Sequence, residues 1–264
     1  MRVVNLTQTD PQAQHAGVRD ADSQQHAITT SIALHLLPGV AMLMFAMLAS
    51  PLVQRWQFPD TFTGSLGILV VLLPLELGLL VYLGYKRNHS PSLTGIVSYR
   101  EPATFWHYTI LVPLLIAWYR ITMSTWTSIL PALGAAGAWL PAALLNPLGS
   151  GTGGTYSDSV LLTTAIFRIV CTGIIAPVVE ELYFRGYLLP RIERFGHWAV
   201  VLNVVLFSFY HLWTPLLNPG RVLAWLPIVY LVWRTRNIRL GIVVHLLLNL
   251  IGVIGPLMAV FGRA

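Results

Sequence analysis

The segment Pro177–Gly186 places three ionisable side chains, Glu180, Glu181 and Arg185, among residues that otherwise suit a lipid bilayer. An ionised side chain at the centre of a membrane helix costs about 2.5 to 3.5 kcal/mol on insertion scales. On a helix, Glu181 and Arg185 stand four residues apart with the acid first, the favourable order for an ion pair. Glu180 points about 100° away and is left as a candidate general base. The alternative for this cluster alone is a helix end whose charges are solvated by lipid headgroups.

Two later segments each place polar side chains on one face of an apolar helix. Phe207 and His211 stand four residues apart in the first, and His245 and Asn249 do so in the second. A single polar cavity shared with Glu180 would satisfy all these groups at once. A Glu with one His can take a proton from water, while a second His and an Asn can donate to an oxyanion. The set Glu180, His211 and His245 could instead hold a divalent metal such as zinc.

The patterns EExxxR, FxxxH and HxxxN, in this order on successive helices, resemble the CAAX protease and bacteriocin-processing family of intramembrane endopeptidases. The resemblance covers about residues 159–253. It implies that Glu180 and His211 activate water. It also implies that His245 and Asn249 stabilise the tetrahedral oxyanion.

The same resemblance implies that Glu181 and Arg185 support the site. Metal dependence is a separate question, because the sequence has no HExxH motif and therefore no zincin geometry. We favour a metal-free, glutamate-type mechanism, with a zinc-type metal as the alternative. Ser208 is not surrounded by a GxSxG elbow and is not favoured as a nucleophile. The single cysteine, Cys171, gives no disulfide framework and no thiolate metal site.

The composition assigns these residues to a polytopic membrane protein. Hydrophobic residues make up 55% of the chain and charged residues 10%, whereas soluble domains carry about 25% charged residues. The net charge of +6 comes from basic residues that flank apolar segments, so the positive-inside rule explains it better than nucleic-acid binding does. The expected partners are the lipid bilayer and a membrane protein or peptide substrate, and no nucleic acid.

The elements that must position the site are apolar stretches near the length of about 20 residues that a spanning helix needs. They cover 29–53, 62–85, 104–121, 159–180, 197–214, 221–234 and 240–260. We predict an all-α, polytopic transmembrane helical bundle with seven to eight membrane segments and a polar intramembrane active-site cavity. A further stretch at 127–148 contains three prolines and is predicted to be re-entrant or interfacial, with an eighth crossing as the alternative.

The chain divides into a polar arm over 1–27, helices without a recognisable motif over 28–158 and a catalytic helical core over 159–260. The arm has no apolar core of a signal peptide. If the N-terminus is cytoplasmic, most of the 16 Lys and Arg residues, with Arg185 among them, fall on the cytoplasmic face. We therefore predict an integral protein of a bacterial cytoplasmic (inner) membrane with a cytoplasmic N-terminus.

Roles for three polar residues outside these motifs are also predicted. Glu76 and Arg168 lie deep in their apolar stretches and could pair with each other, a structural role that we favour over substrate contact. His35 is predicted to be a helix-packing histidine.

These observations predict an intramembrane endopeptidase that hydrolyses peptide bonds of membrane-associated, tail-anchored or lipidated proteins. Its hydrated site is expected to open toward the cytoplasmic end of helix 159–180. One alternative is a transporter that relays protons through Glu180, His211 and His245, although such proteins usually show repeated halves and none is visible here. The other alternative is a non-catalytic membrane protein of the bacteriocin-immunity type.

Overall fold

The computed structural model of the chain describes residues 24–136 and 156–261, and these residues form seven helices. They are α1 (Ile28–Arg55), α2 (Asp60–Asn88), α3 (107–136), α4 (Asp158–Phe195), α5 (His197–Tyr210), α6 (Pro215–Thr235) and α7 (Ile238–Phe261). The only β pairing in the described part is an isolated bridge between Arg100 and Asn237. The predicted all-α fold is confirmed.

Five of these helices are long and apolar enough to cross a membrane. They are α1, α2, α4, α6 and the part of α7 from Ile238 to Gly255. Helix α5 is apolar but has only 14 residues. The chain is therefore an integral membrane protein built from helices, while the count of seven to eight membrane segments stays a prediction.

Two predicted boundaries differ from the structure. Helix α4 does not end near Glu180 but continues to Phe195, and its last turns from Leu189 tighten into a 3₁₀ helix. Helix α4 ends before Gly196, whose φ of +56° is a conformation that glycine adopts readily. Residues 127–136 are continuous with the earlier part of α3, so no separate segment begins at 127. Residues 137–148 lie outside the described part, and the re-entrant prediction stays open for them.

Four segments meet at one end of the bundle, which we call the basic end because three of them contain eight Lys and Arg residues. The basic segments are 86–104, 189–196 and 234–239, and the fourth segment is 24–27. The Tyr99 hydroxyl donates to Glu193 at 2.7 Å, and Arg236 pairs with the same carboxylate at 2.9 Å. The backbone N–H of His26 donates to the Arg191 carbonyl at 2.9 Å. Burial and the charge of Arg191 lower the pKa of His26, so this histidine is uncharged at neutral pH.

Close helix packing holds α4 against α1 and α5. The Asn203 side chain donates to the Phe184 carbonyl and to the His35 ring, each at 3.0 Å, and His35 is fully buried. His35 is thus a helix-packing residue, as predicted. A Cβ at Gly39 would lie 2.2 Å from the Tyr210 carbonyl oxygen, so only glycine lets α1 approach the end of α5 this closely.

Candidate active site

A cavity of about 310 Å³ lies in the bundle against one face of α4. Four α4 residues spaced four apart line it: Arg168, Thr172, Ala176 and Glu180. Three further predicted site residues, from the end of α5 and from α7, complete its polar wall: His211, His245 and Asn249. The structure therefore brings all four predicted catalytic residues to one polar cavity.

The cavity extends from a buried floor at Glu180 toward the end of the bundle opposite the basic end. Glu180 is 5% exposed, whereas Arg168 and Gly64 near the other end are half-buried. Beyond Glu180, α4 is closed by Tyr183 and Phe184, which are 1% and 0% exposed. The prediction of an opening at the Glu180 end of helix 159–180 is therefore wrong, because aromatic side chains fill the space on that side.

Arg185 and Glu181 form the predicted ion pair in the closed part of the bundle. Their nearest side-chain atoms are 3.2 Å apart, and both side chains are fully buried. The guanidinium also lies 3.9 Å from the centre of the Phe207 ring and 4.9 Å from that of Trp225, within range of a cation–π contact. Arg185 was expected among the cytoplasmic surface charges and is instead an interior residue. A Cβ at Gly241 would lie 2.5 Å from Glu181 Oε2, so α7 also confines this carboxylate.

His245 connects the two neighbouring carboxylates. Its Nδ1 lies 3.0 Å from Glu181 Oε1 and its Nε2 lies 3.6 Å from Glu180 Oε2. In the tautomer with its hydrogen on Nδ1, His245 donates to the Glu181 carboxylate. The imidazole is thereby oriented with Nε2 toward Glu180 and the cavity. The histidine that lies beside Glu180 is thus His245, whereas the resemblance pairs Glu180 with His211.

The apolar stretch 197–214 predicted that His211 lies inside a helix. In the structure α5 ends at Tyr210, and His211 lies just after it. Its backbone N–H donates to Ser208 at 3.2 Å, so the Phe207 carbonyl lacks the partner that a continuing helix would give it. His211 Nδ1 fills this place at 2.9 Å from the Phe207 oxygen. Because a carbonyl oxygen can only accept, Nδ1 carries the hydrogen in this contact, and Nε2 is left as an acceptor on the cavity side.

Asn249 compensates for a proline in α4. The N–H of Ala176 bonds to the carbonyl of Cys171, five residues earlier. The next bond in this series would run from residue 177 to Thr172, but Pro177 has no N–H. Asn249 Nδ2 donates to the Thr172 oxygen at 2.9 Å instead. One amide N–H of Asn249 therefore has a structural partner, and the second remains for the cavity.

Two residues near Glu180 were not identified from the sequence as part of the site. The Tyr210 hydroxyl donates to Glu180 Oε1 at 3.3 Å. Glu76 is fully buried near Tyr210 and Glu180, and neither of its carboxylate oxygens has a hydrogen-bond partner within the described residues. The predicted pairing of Glu76 with Arg168 is therefore wrong: Glu76 faces Tyr210, whereas Arg168 lines the cavity. Tyr210 directly precedes the motif histidine, but no spacing rule marks a tyrosine in an apolar run.

Arg221 is a third residue that sequence reasoning missed. It is 8% exposed and lines the cavity together with His211. Its guanidinium donates to the Thr214 hydroxyl at 2.8 Å and to the Asn218 side chain. These bonds fix a positive charge in the cavity wall at the start of α6.

The alternative metal ligands do not gather as a metal site. Within residues 24–136 and 156–261, no three His, Cys, Asp or Glu side chains come together as a ligand set. The arrangement of Glu180, His211 and His245 does not fit a three-ligand metal centre, so the mechanism below uses no metal ion.

Comparison with known proteins identifies one family. Residues 162–251 match the family described as Rce1-like, type II CAAX prenyl endopeptidase Rce1-like. The match confirms the resemblance to the CAAX protease family over the part of the chain that contains the cavity residues of α4, α5 and α7. It suggests a protease of the intramembrane type. No curated protein and no solved structure shows significant similarity to the chain.

Proposed function

We propose, from the Rce1-like match over residues 162–251 and the cavity within it, that the chain is an intramembrane endopeptidase with Glu180 as its general base. The observation that carries this proposal is the difference between two adjacent carboxylates. Glu181 is held by Arg185, whereas Glu180 faces the cavity and accepts a hydrogen bond from Tyr210. A carboxylate that is buried, oriented and not neutralised by an arginine suits proton abstraction from water.

In the proposed reaction, Glu180 takes a proton from a water molecule while His211 Nε2 accepts a hydrogen bond from the same water. The water oxygen attacks the carbonyl carbon of the scissile peptide bond, and an oxyanion forms. His245, supported by Glu181, donates through its Nε2–H to the oxyanion, and the second amide N–H of Asn249 does the same. Glu180 then transfers its proton to the leaving amine, which breaks the carbon–nitrogen bond.

The proposed substrates are proteins whose cleaved segment lies in or beside the bilayer. Apolar walls such as Leu72, Phe207 and Trp225 suit an apolar segment or a lipidated tail. The proposed location is a bacterial cytoplasmic membrane with a cytoplasmic N-terminus. The support for this orientation is the basic end, because cytoplasmic loops carry an excess of Lys and Arg.

The test is cleavage by the purified full chain in maltoside micelles of apolar peptides with a fluorophore and a quencher at opposite ends. Glu180→Gln removes the base but keeps its size, so turnover should fall by about 10² to 10⁴, the range of general base catalysis. Glu193→Gln is the matched control, since Glu193 lies at the basic end, outside the cavity. Wild-type turnover by Glu180→Gln would refute the assignment of the base.

The metal-free mechanism has a separate test. Turnover should be unchanged after extensive chelation, and the purified protein should contain less than one equivalent of zinc. Loss of turnover on chelation, with recovery on adding zinc, would contradict the mechanism while leaving the endopeptidase assignment intact.

A further inference from the structure

One intramembrane arginine faces the cavity and has no partner among the described residues. Arg168 lies three turns before Glu180 on the same face of α4 and lines the same cavity. Within the described residues its guanidinium makes no hydrogen bond or ion pair. A cation at this depth is costly unless a counter-charge or water satisfies it.

The other interior arginines all have partners in the protein. Arg185 pairs with Glu181, Arg221 donates to Thr214, and Arg191 donates to the Tyr187 carbonyl. Each of these groups therefore has a structural explanation. Among the described residues Arg168 has none, although Glu76 is an acidic residue within the same bundle. The contrast singles out Arg168 as the interior arginine of the described part that is left to bind a molecule in the cavity.

We infer that Arg168 forms an anion-binding subsite of the cavity, and that this subsite binds a carboxylate or phosphate group. A planar guanidinium suits both, because it can donate two parallel hydrogen bonds to a pair of oxygens. The two sources of such a group are the free C-terminal carboxylate of a peptide and the phosphate of a membrane lipid. The inference rests on the proposed function if the bound group is the C-terminal carboxylate of a peptide. It does not rest on that function if the bound group is a lipid phosphate.

The position of Arg168 sets the length of an extended peptide that reaches both ends of the cavity. Arg168 and Glu180 are twelve residues apart on α4, which corresponds to about 18 Å along a helix. An extended chain covers this distance in about five residues. An extended peptide whose terminal carboxylate binds Arg168 would thus present to Glu180 a bond about five residues from its C-terminus.

The test measures binding in the Glu180→Gln variant, so that it does not depend on turnover. The probe is a fluorescein-labelled apolar hexapeptide with a free C-terminal carboxylate, compared with its C-terminal amide in phosphate-free maltoside micelles. Charge-assisted hydrogen bonds predict that the acid binds about 10- to 100-fold more tightly than the amide. Adding Arg168→Gln should reduce this ratio to about one, whereas Arg168→Lys should retain part of it.

The control is Arg120→Gln, which removes an exposed arginine of α3 and should leave the ratio unchanged. The Arg168→Gln protein should unfold at the same temperature as its parent, because no contact within the described residues is lost. A second arm titrates fluorescent phosphatidylglycerol into the same micelles. Saturable lipid binding that Arg168→Gln abolishes, without discrimination between peptide acid and amide, would assign the subsite to a lipid phosphate.

Two results overturn the inference. One is equal binding of acid and amide together with no Arg168-dependent lipid binding. The other is an acid preference that persists in Arg168→Gln. A different result would refute the proposed function and leave this inference intact. In that case the chain prefers the peptide acid over the amide in an Arg168-dependent way, but the wild type cleaves none of the peptides.

Discussion

Replacing Arg185 by methionine tests the ion pair that separates the roles of the two glutamates. The change removes the positive charge 3.2 Å from Glu181 and leaves a buried carboxylate with His245 as its remaining partner. Breaking a buried ion pair on one side costs about 3 to 5 kcal/mol. The lost contact of the guanidinium with the Phe207 ring, at 3.9 Å, adds to the loss. We expect the free energy of unfolding to fall by about 3 to 5 kcal/mol.

The double variant Glu181→Gln/Arg185→Met removes the uncompensated charge as well, and should recover about half of that loss or more. The matched control is Arg236→Met, which breaks the exposed pair with Glu193 at 2.9 Å. An exposed pair contributes about 0 to 1 kcal/mol. The measurement is reversible unfolding by sodium dodecyl sulfate in mixed micelles, followed by tryptophan fluorescence.

Two outcomes would refute this reasoning. One is an equal loss of stability in Arg185→Met and Arg236→Met, which would mean that burial does not strengthen the pair. The other is a double variant that is no more stable than Arg185→Met, which would mean that the uncompensated charge of Glu181 is not the cause.

Three further predictions concern the cavity. Tyr210→Phe removes the donor to the proposed base and should lower kcat of peptide cleavage about tenfold without changing the melting temperature; an unchanged kcat would exclude a role for this hydroxyl. Pro177→Ala supplies the missing backbone N–H, so Asn249→Ala should lower the melting temperature less in that background than in the wild type; equal losses would contradict the compensation. In intact cells, a membrane-impermeant maleimide should label a cysteine at Gly64 but not one in loop 89–104, and the reverse pattern would contradict the predicted orientation.

The sequence predicted those features that depend on neighbours along one helix. The Glu181–Arg185 pair follows from a spacing of four residues, and the apolar stretches follow from composition over about 20 residues. Contacts between helices were not predictable in the same way. Tyr210 meets Glu180 across 30 positions of the chain, and no local pattern records which faces of two apolar helices meet. The expected pairing of Glu76 with Arg168 failed for this reason, since opposite charges at similar depth can face different neighbours.

Helix ends were a second source of difference between the predicted helices and the structure. The stretch 197–214 is largely apolar, yet α5 ends at Tyr210. The ring of His211 satisfies the open Phe207 carbonyl there, which a count of apolar residues does not reveal. Likewise, α4 passes Pro190 because a proline in the first turn of a 3₁₀ segment breaks no hydrogen bond that the segment needs.

The direction of the cavity has a consequence for where a substrate must come from. The floor of the cavity at Glu180 is closed toward the basic end by Tyr183 and Phe184. The half-buried cavity residues Arg168 and Gly64 lie on the opposite side. If the basic end lies in the cytoplasm, as predicted, the cavity would be entered from the extracytoplasmic half of the bilayer. The cleaved segment would then be presented only after it has been exported. Cleavage would thus follow translocation in time, and proteins still in the cytoplasm would be out of reach.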